Sequence, residues 1–313
     1  MPRLAALQAV LLAAGCLSNS GGFGSDRAAR DDAGLLDGGA RDLDASSGES
    51  VCERWLADRA DLAEGAWSGS AASCDPGEIL EPGPENALRL VNLYRYLAGL
   101  APVIRDPALD AAAQACALMM HAEGRLSHDP TTDWACYSAQ GADGAARSLE
   151  DLAPVVAAID VYMIDPGNET TLGHRRNILS QWLQAVGIGS TDRASCLSTD
   201  IPSQWIEGFI AWPPPGQFPM EAIEPLPWLG SLDDVGWSIQ TTTIDLAAAE
   251  VTVRNAQDDV LPVEVWQLEP GYGSSYAIAI RPTGWSMQPG TYRVDVAGVD
   301  PPIAYEFQVV DCR

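Results

Sequence analysis

The chain has 313 residues, with 18 basic side chains against 43 acidic ones and a formal net charge of −25. A surface that negative repels phosphate backbones and anionic headgroups, which excludes nucleic-acid binding as a function. Every basic residue is arginine, so Schiff-base and P-loop lysine chemistry are excluded too, and any imidazole site must be built from His121, His128 and His174.

Arg3 and the apolar stretch 4–14 have the make-up of an export signal and are too short to span a bilayer as a helix. The stretch ends in Leu12-Ala13-Ala14-Gly15-Cys16, which resembles a bacterial lipobox, so Cys16 is the candidate lipidation site and 1–16 a lipoprotein signal peptide. An ordinary secretory signal with an incidental cysteine is the alternative. Residues 17–50 are rich in Gly, Ser, Ala and Asp and poor in large apolar side chains, as expected of a disordered acidic linker. These features predict an exported protein of the cell envelope. It would be held at the outer membrane or cell surface by a lipid anchor and touch the membrane through that anchor only.

Six cysteines follow: Cys52, Cys74, Cys116, Cys136, Cys196 and Cys312. An even number in an exported chain reads as a disulfide framework. Proximity along the chain favours Cys52–Cys74 and Cys116–Cys136, which leaves Cys196–Cys312. Residues 51–83 are then a disulfide-bonded N-terminal extension.

Residues 84–212 read as a mixed domain. Apolar residues at helical spacing predict a helix over 84–100. Asp106 as N-cap and Pro107 at the first helical position start a second, which Gly124 ends. A third helix is expected over 150–163 and a short fourth from Leu172. Residues 185–189 predict a strand, with a partner expected in 205–212; its glycines imply that another element packs closely on it. Residues 213–230, with Pro213-Pro214-Pro215, read as a stiff connector. In 231–313, alternation at Val251 and Val253, Val263 and Val265, Tyr292 to Val296, and Tyr305 to Val309 predicts a small β-sandwich of immunoglobulin type. Trp205, Trp212 and Trp228 would either stack on a sugar or join the domains; joining is the reading we favour.

Three segments carry the chemistry. They are the helix containing Asn86, Arg89 and Gly99-Leu100-Ala101-Pro102; the helix end Gly124-Arg125-Leu126-Ser127-His128; and the block Gly173-His174-Arg175-Arg176-Asn177-Ile178-Leu179, followed by Gly187-Ile188-Gly189. In this order and spacing they resemble the CAP superfamily of SCP-like extracellular proteins. The resemblance implies an α+β chain: a three-layer α-β-α sandwich over 84–212, followed by the C-terminal sandwich. It also implies two histidines, His128 and His174, facing each other across a groove, commonly with two acidic residues. The family's Gly-Glu-Asn motif is absent, because 141–152 read GADGAARSLEDL; Asp143 and Glu150 stand as substitutes there. Asp160 and Glu169 are the candidates for the second acid.

Two neutral imidazoles can bind zinc or a similar divalent ion, but a catalytic zinc usually has three protein ligands. Ser127 adjoins His128, and chain neighbours seldom form a nucleophile–base pair. His121 reads as a packed or surface residue. Arg175 and Arg176 are expected to pair with local acids or to take a carboxylate ligand. No catalytic residue is assigned and no cofactor beyond the candidate zinc. The reading is a non-catalytic binding module for a surface ligand of lipid, glycan or protein nature. The alternatives are a metal-assisted hydrolase using His128 and His174, and a structural or adhesive envelope protein binding through its β-sandwich.

Overall fold

Helix α1 (Val51–Asp58) opens the folded body with a capping box, in which Ser50 Oγ accepts from the Glu53 N–H and the Glu53 carboxylate accepts from the Ser50 N–H. The computed structural model describes residues 36–37, 50–199, 201 and 208–313. The signal segment, Cys16 and Trp205 lie outside the described residues, as does the linker apart from β1 (Leu36–Asp37) and Ser50. Residues 35–313 form one compact unit.

Helix α2 (Gly83–Leu97) buries Leu90, Val91, Leu93, Tyr94 and Leu97. Helix α3 (Pro107–Glu123) starts and stops where the sequence indicates: Asp106 accepts from the Ala108 N–H, and Gly124 ends the helix at φ +71°. Helix α4 (Ala139–Ala145) was not expected, because its sequence, AQGADGA, has no apolar periodicity. It forms because its glycines let it lie directly on α3: a Cβ at Gly144 would sit 2.2 Å from the Ala112 carbonyl oxygen. The helix expected over 150–163 divides into strand β3 (Ser148–Asp151) and helix α5 (Val155–Ile164), which starts after Pro154. A short helix α6 (Gly173–Ile178) follows.

The helical half is organised on a four-stranded sheet of β2 (Ile104–Arg105), β4 (Ala185–Ser190), β5 (Ser195–Thr199) and β3, in the order β2-β4-β5-β3. The antiparallel partner of β4 is β5, with Val186 opposite Thr199 and Ser190 opposite Ser195, and not the 205–212 segment. The 191–194 turn, closed by the Thr191 N–H on the Ala194 carbonyl, brings β5 back at once and takes that edge. Side chains on β4 and β5 alternate between two cores. Val186, Ile188 and Leu197 join α2 and α5, whereas Cys196 joins Cys116, Met119 and Met120 of α3. Gly187 and Gly189 lie under α3, and a Cβ on Gly189 would fall 2.1 Å from the Ala113 carbonyl carbon. The sheet is thus the middle of three layers.

The C-terminal half contains two sheets and a short helix α7 (Leu232–Val235). One sheet has β6 (Ile210–Trp212), β8 (Trp237–Thr241), β11 (Val263–Gln267) and β12 (Tyr276–Pro282), in the order β11-β12-β8-β6. The other has β9 (Glu250–Asn255), β10 (Val260–Leu261), β13 (Gly290–Ala297) and β14 (Ile303–Val310), in the order β1-β14-β13-β9-β10, with β7 (Gly216–Pro219) also on β14. Ile303, Tyr305, Phe307 and Val309 of β14 point inward, as their period of two requires. Trp237 of one sheet meets Phe307 of the other edge-on, at 5.5 Å between ring centroids. The proline-rich 213–230 segment carries β7 and the 3-10 turn Met220–Ala222. Phe218 of β7 packs on Trp212 at 5.0 Å, and Trp212 packs on Tyr94 of α2 at 5.7 Å. Trp212 therefore joins the halves through one continuous core, whereas Trp228 is exposed.

All six cysteines after Cys16 are paired, but each pairing differs from the one expected. The bonds are Cys52–Cys312, Cys74–Cys136 and Cys116–Cys196. Proximity along the chain fails because topology sets the partners. Cys116 faces down from α3 onto β5. Cys136 lies in the following loop and meets the 71–74 turn. Cys52 on α1 reaches the chain end.

Candidate functional site

His128 follows the Gly124 stop of α3. Its Nδ1 lies 2.9 Å from the Ala145 carbonyl oxygen. A carbonyl only accepts, so Nδ1 carries the proton and Nε2 the lone pair. Glu150 Oε1 is 3.6 Å from the same Nδ1, from a carboxylate that is only 3% exposed. Burial pushes the Glu150 carboxyl up to about 8, with a backbone hydrogen bond at Ser127 acting in the opposite direction. Glu150 also lies within 4.8 Å of Cys116 and Cys196 Sγ in a metal-like cluster, but both sulfurs are spent in a disulfide, so this group is no metal centre.

His174 sits in the first turn of α6. Asp165 Oδ1 lies 3.0 Å from its Nδ1, and Asp165 Oδ2 accepts from the backbone N–H of His174 at 2.9 Å and of Arg175 at 3.3 Å. Asp165 is fully buried and takes the left-handed conformation, φ +63°, that ends α5. One residue therefore terminates a helix, caps the next and orients an imidazole. The Tyr162 ring packs against that imidazole at 4.9 Å. Burial also raises the Asp151 carboxyl, and His174 partly opposes the shift.

Of the acids named from sequence, Glu150 lies beside His128 and the others lie elsewhere. Asp160 receives the Arg59 guanidinium at 2.8 and 2.7 Å and the Tyr94 hydroxyl at 2.6 Å, a buried anchor for α1 and α2. The Glu169 carboxylate accepts from the Gly167 N–H at 2.9 Å. Asp143 forms a surface pair with Arg147. The acid near His174 is instead Asp165, which the sequence presents only as the Asp-Pro-Gly stop of a helix. His121 lies 3.5 Å from Asp192 and against the Trp67 ring, away from both other histidines' cavity.

Arg175 and Arg176 take neither of their expected roles. Arg175 donates to the Met163, Ile164 and Gly236 carbonyls. Arg176 donates to the Thr171, Glu269, Gly271 and Ser274 carbonyls. Both are fully buried, and together they clamp α6 to the C-terminal half.

That clamp shapes a cavity of about 850 Å³ lined by His128, His174, Asn168, Asn177 and Trp182, and closed on one side by residues 270–275 of the C-terminal half. Neither Glu150 nor Asp165 lines it. The two carboxylates stand behind the imidazoles, on their Nδ1 side, where they hold orientation. Among the described residues two Nε2 atoms supply half of a tetrahedral zinc shell, so that donor set does not fit a resident zinc.

Residues 88–198 match the model of the CAP family, the cysteine-rich secretory protein family. This segment is similar to a CAP domain. No curated protein and no solved structure matches the chain. The matched segment supplies both imidazoles, Glu150 and Asp165, and its disulfide Cys116–Cys196 fastens α3 to the sheet. The family and the three disulfides fit an extracellular protein. Among the described residues no helix is long and apolar enough to cross a membrane.

Proposed function

We propose that this is an exported, lipid-anchored envelope protein whose CAP domain is a non-catalytic binding module, with its ligand held in the cavity of His128 and His174. One observation carries the reading. Both imidazoles line one cavity; the His128 Nδ1 is held by the Ala145 carbonyl, and the His174 Nδ1 stands 3.0 Å from the Asp165 carboxylate and 3.3 Å from Asn168 Nδ2, so each ring has its Nδ1 side fixed and its Nε2 side left to meet a ligand. The C-terminal half, read as an immunoglobulin-type sandwich, serves as the cavity's outer wall and as a spacer above the anchor at Cys16.

Zinc is a probe of this arrangement, bound weakly for want of further ligands. Calorimetric titration at neutral pH should show one weak site in the wild type and in His121→Ala, and none in His128→Ala or His174→Ala. Equal affinity in all four would overturn the shared site. For the anchor, Cys16→Ser should move the protein from the membrane to the soluble fraction; retention on the membrane would contradict lipidation.

A further inference from the structure

The β11–β12 hairpin of the C-terminal half touches both segments that flank His174. On one side the Trp266 indole N–H donates to the Glu169 carbonyl at 2.8 Å, and the Glu269 N–H donates to the Thr170 carbonyl at 2.9 Å. On the other side Arg176 of α6 donates to the Glu269, Gly271 and Ser274 carbonyls. These bonds pin the hairpin's turn before and after Tyr272, and the Arg176 guanidinium stands 5.6 Å from the Tyr272 ring.

The backbone of that turn is strained at one residue. Gly271, Tyr272 and Gly273 take positive φ in succession, +98°, +55° and +81°. Glycine adopts such angles freely, whereas tyrosine is held there against its preference. A turn that needed only its shape would carry glycine at all three positions. What the tyrosine adds is a ring. The ring is 42% exposed, lines the cavity and lies against Gly173, where an added Cβ would be 2.6 Å away. Gly173 immediately precedes His174, and only a residue without a Cβ leaves the ring that seat. The two imidazoles of the cavity also differ in exposure: the His128 side chain is 61% exposed and the His174 side chain 19%.

Building on the reading that His174 meets a ligand in the cavity, we propose that Tyr272 is a specificity-determining residue of the binding site. Its ring narrows the approach to His174 and leaves His128 open. The C-terminal half thereby sets the size of ligand that reaches His174, and a bulky ligand is refused by clash with a fixed ring.

The test is acylation of the full chain by diethyl pyrocarbonate, which labels neutral imidazole, with the rate at each histidine read by mass spectrometry of its peptide. Rates are taken on the alkaline plateau of each pH profile, so that protonation of the rings does not enter. Tyr272→Gly removes the ring and suits the left-handed backbone. It should raise the rate at His174 about threefold, the ratio of the 61% and 19% exposures, and leave His128 and His121 unchanged. Gly173→Ala, which displaces the ring and keeps the tyrosine, should act in the same direction. Tyr272→Phe keeps the ring and should react as the wild type does. The bulkier di-tert-butyl dicarbonate should gain more at His174 from Tyr272→Gly than diethyl pyrocarbonate does. Thermal unfolding of each variant checks that it is folded. The proposal is overturned if His174 reacts at the wild-type rate in both Tyr272→Gly and Gly173→Ala, if Tyr272→Gly speeds all three histidines alike, or if both reagents gain equally. Zinc titration keeps the two readings apart. Faster His174 acylation in the variants without a shared zinc site would overturn the binding reading and leave the role of Tyr272 in place. A shared zinc site with unchanged acylation rates would do the reverse.

Discussion

The helical half and the C-terminal half share one apolar core, yet they are fastened differently. In the C-terminal half the interior is aromatic and aliphatic: Trp237, Tyr292, Val294 and Phe307 interlock across two sheets, and no arginine is buried there among the described residues. The helical half buries Arg95, Arg175 and Arg176 and spends their donors on carbonyls of loops and helix ends. Arg95 alone holds the carbonyls of Ala101, Ile178, Ser180 and Leu183. A guanidinium presents five donors in a fixed fork, so one side chain can pin several loop segments that no apolar residue could hold. The difference teaches where the site comes from. Regular strands need only alternation, whereas a cavity walled by loops needs polar clamps to fix those loops.

The largest effect should come from the bond that spans both halves. Replacing Cys52 and Cys312 by alanine opens a loop of 260 residues and should cost about 5 kcal/mol in denaturant unfolding. If the halves are one folding unit, helical and aromatic signals will still fall in a single transition; two separated transitions would break the comparison. Next is Arg176→Met, which takes the guanidinium donors from the Thr171, Glu269, Gly271 and Ser274 carbonyls and should cost about 3 kcal/mol. A loss below about 1 kcal/mol would deny the clamp its role. Val294→Ala, in the apolar half, should cost about 2–3 kcal/mol by the same measurement.

A further effect, spread over a pH window, sharpens the electrostatic side. Glu150 titrates near 8 in the folded protein against 4.5 for the free group, so its charged form is disfavoured by folding. Its contribution to stability is complete below pH 4.5 and is lost as pH rises toward 8, by up to about 1.4 kcal/mol per pH unit. Glu150→Gln should flatten the fall of Tm across that window relative to wild type. Parallel curves would contradict the burial of an ionisable carboxyl beside His128.

The same contrast decides what was legible in the sequence. Alternation gives β9, β11, β13 and β14, and a Pro107 start with a Gly124 stop gives α3, because periodicity and caps are local signals. The two histidines that line the cavity stand in short motifs. Helix α4 is not legible, since glycine and alanine carry no apolar period, and β3 hides in the approach to α5. The disulfides and Asp165 are illegible for a common reason: each depends on which loops the topology brings together. Asp165 in particular acts through a turn conformation and two backbone N–H groups, and neither leaves a spacing that a sequence reader can recognise.

The central claim is that His128 and His174 present their Nε2 atoms to one shared cavity. The most direct test is the imidazole ¹⁵N spectrum of the protein during titration with zinc. The account predicts that the Nε2 signals of both residues shift together with one midpoint while those of His121 stay in place. A shift confined to one imidazole, or two shifts with separate midpoints, would contradict it.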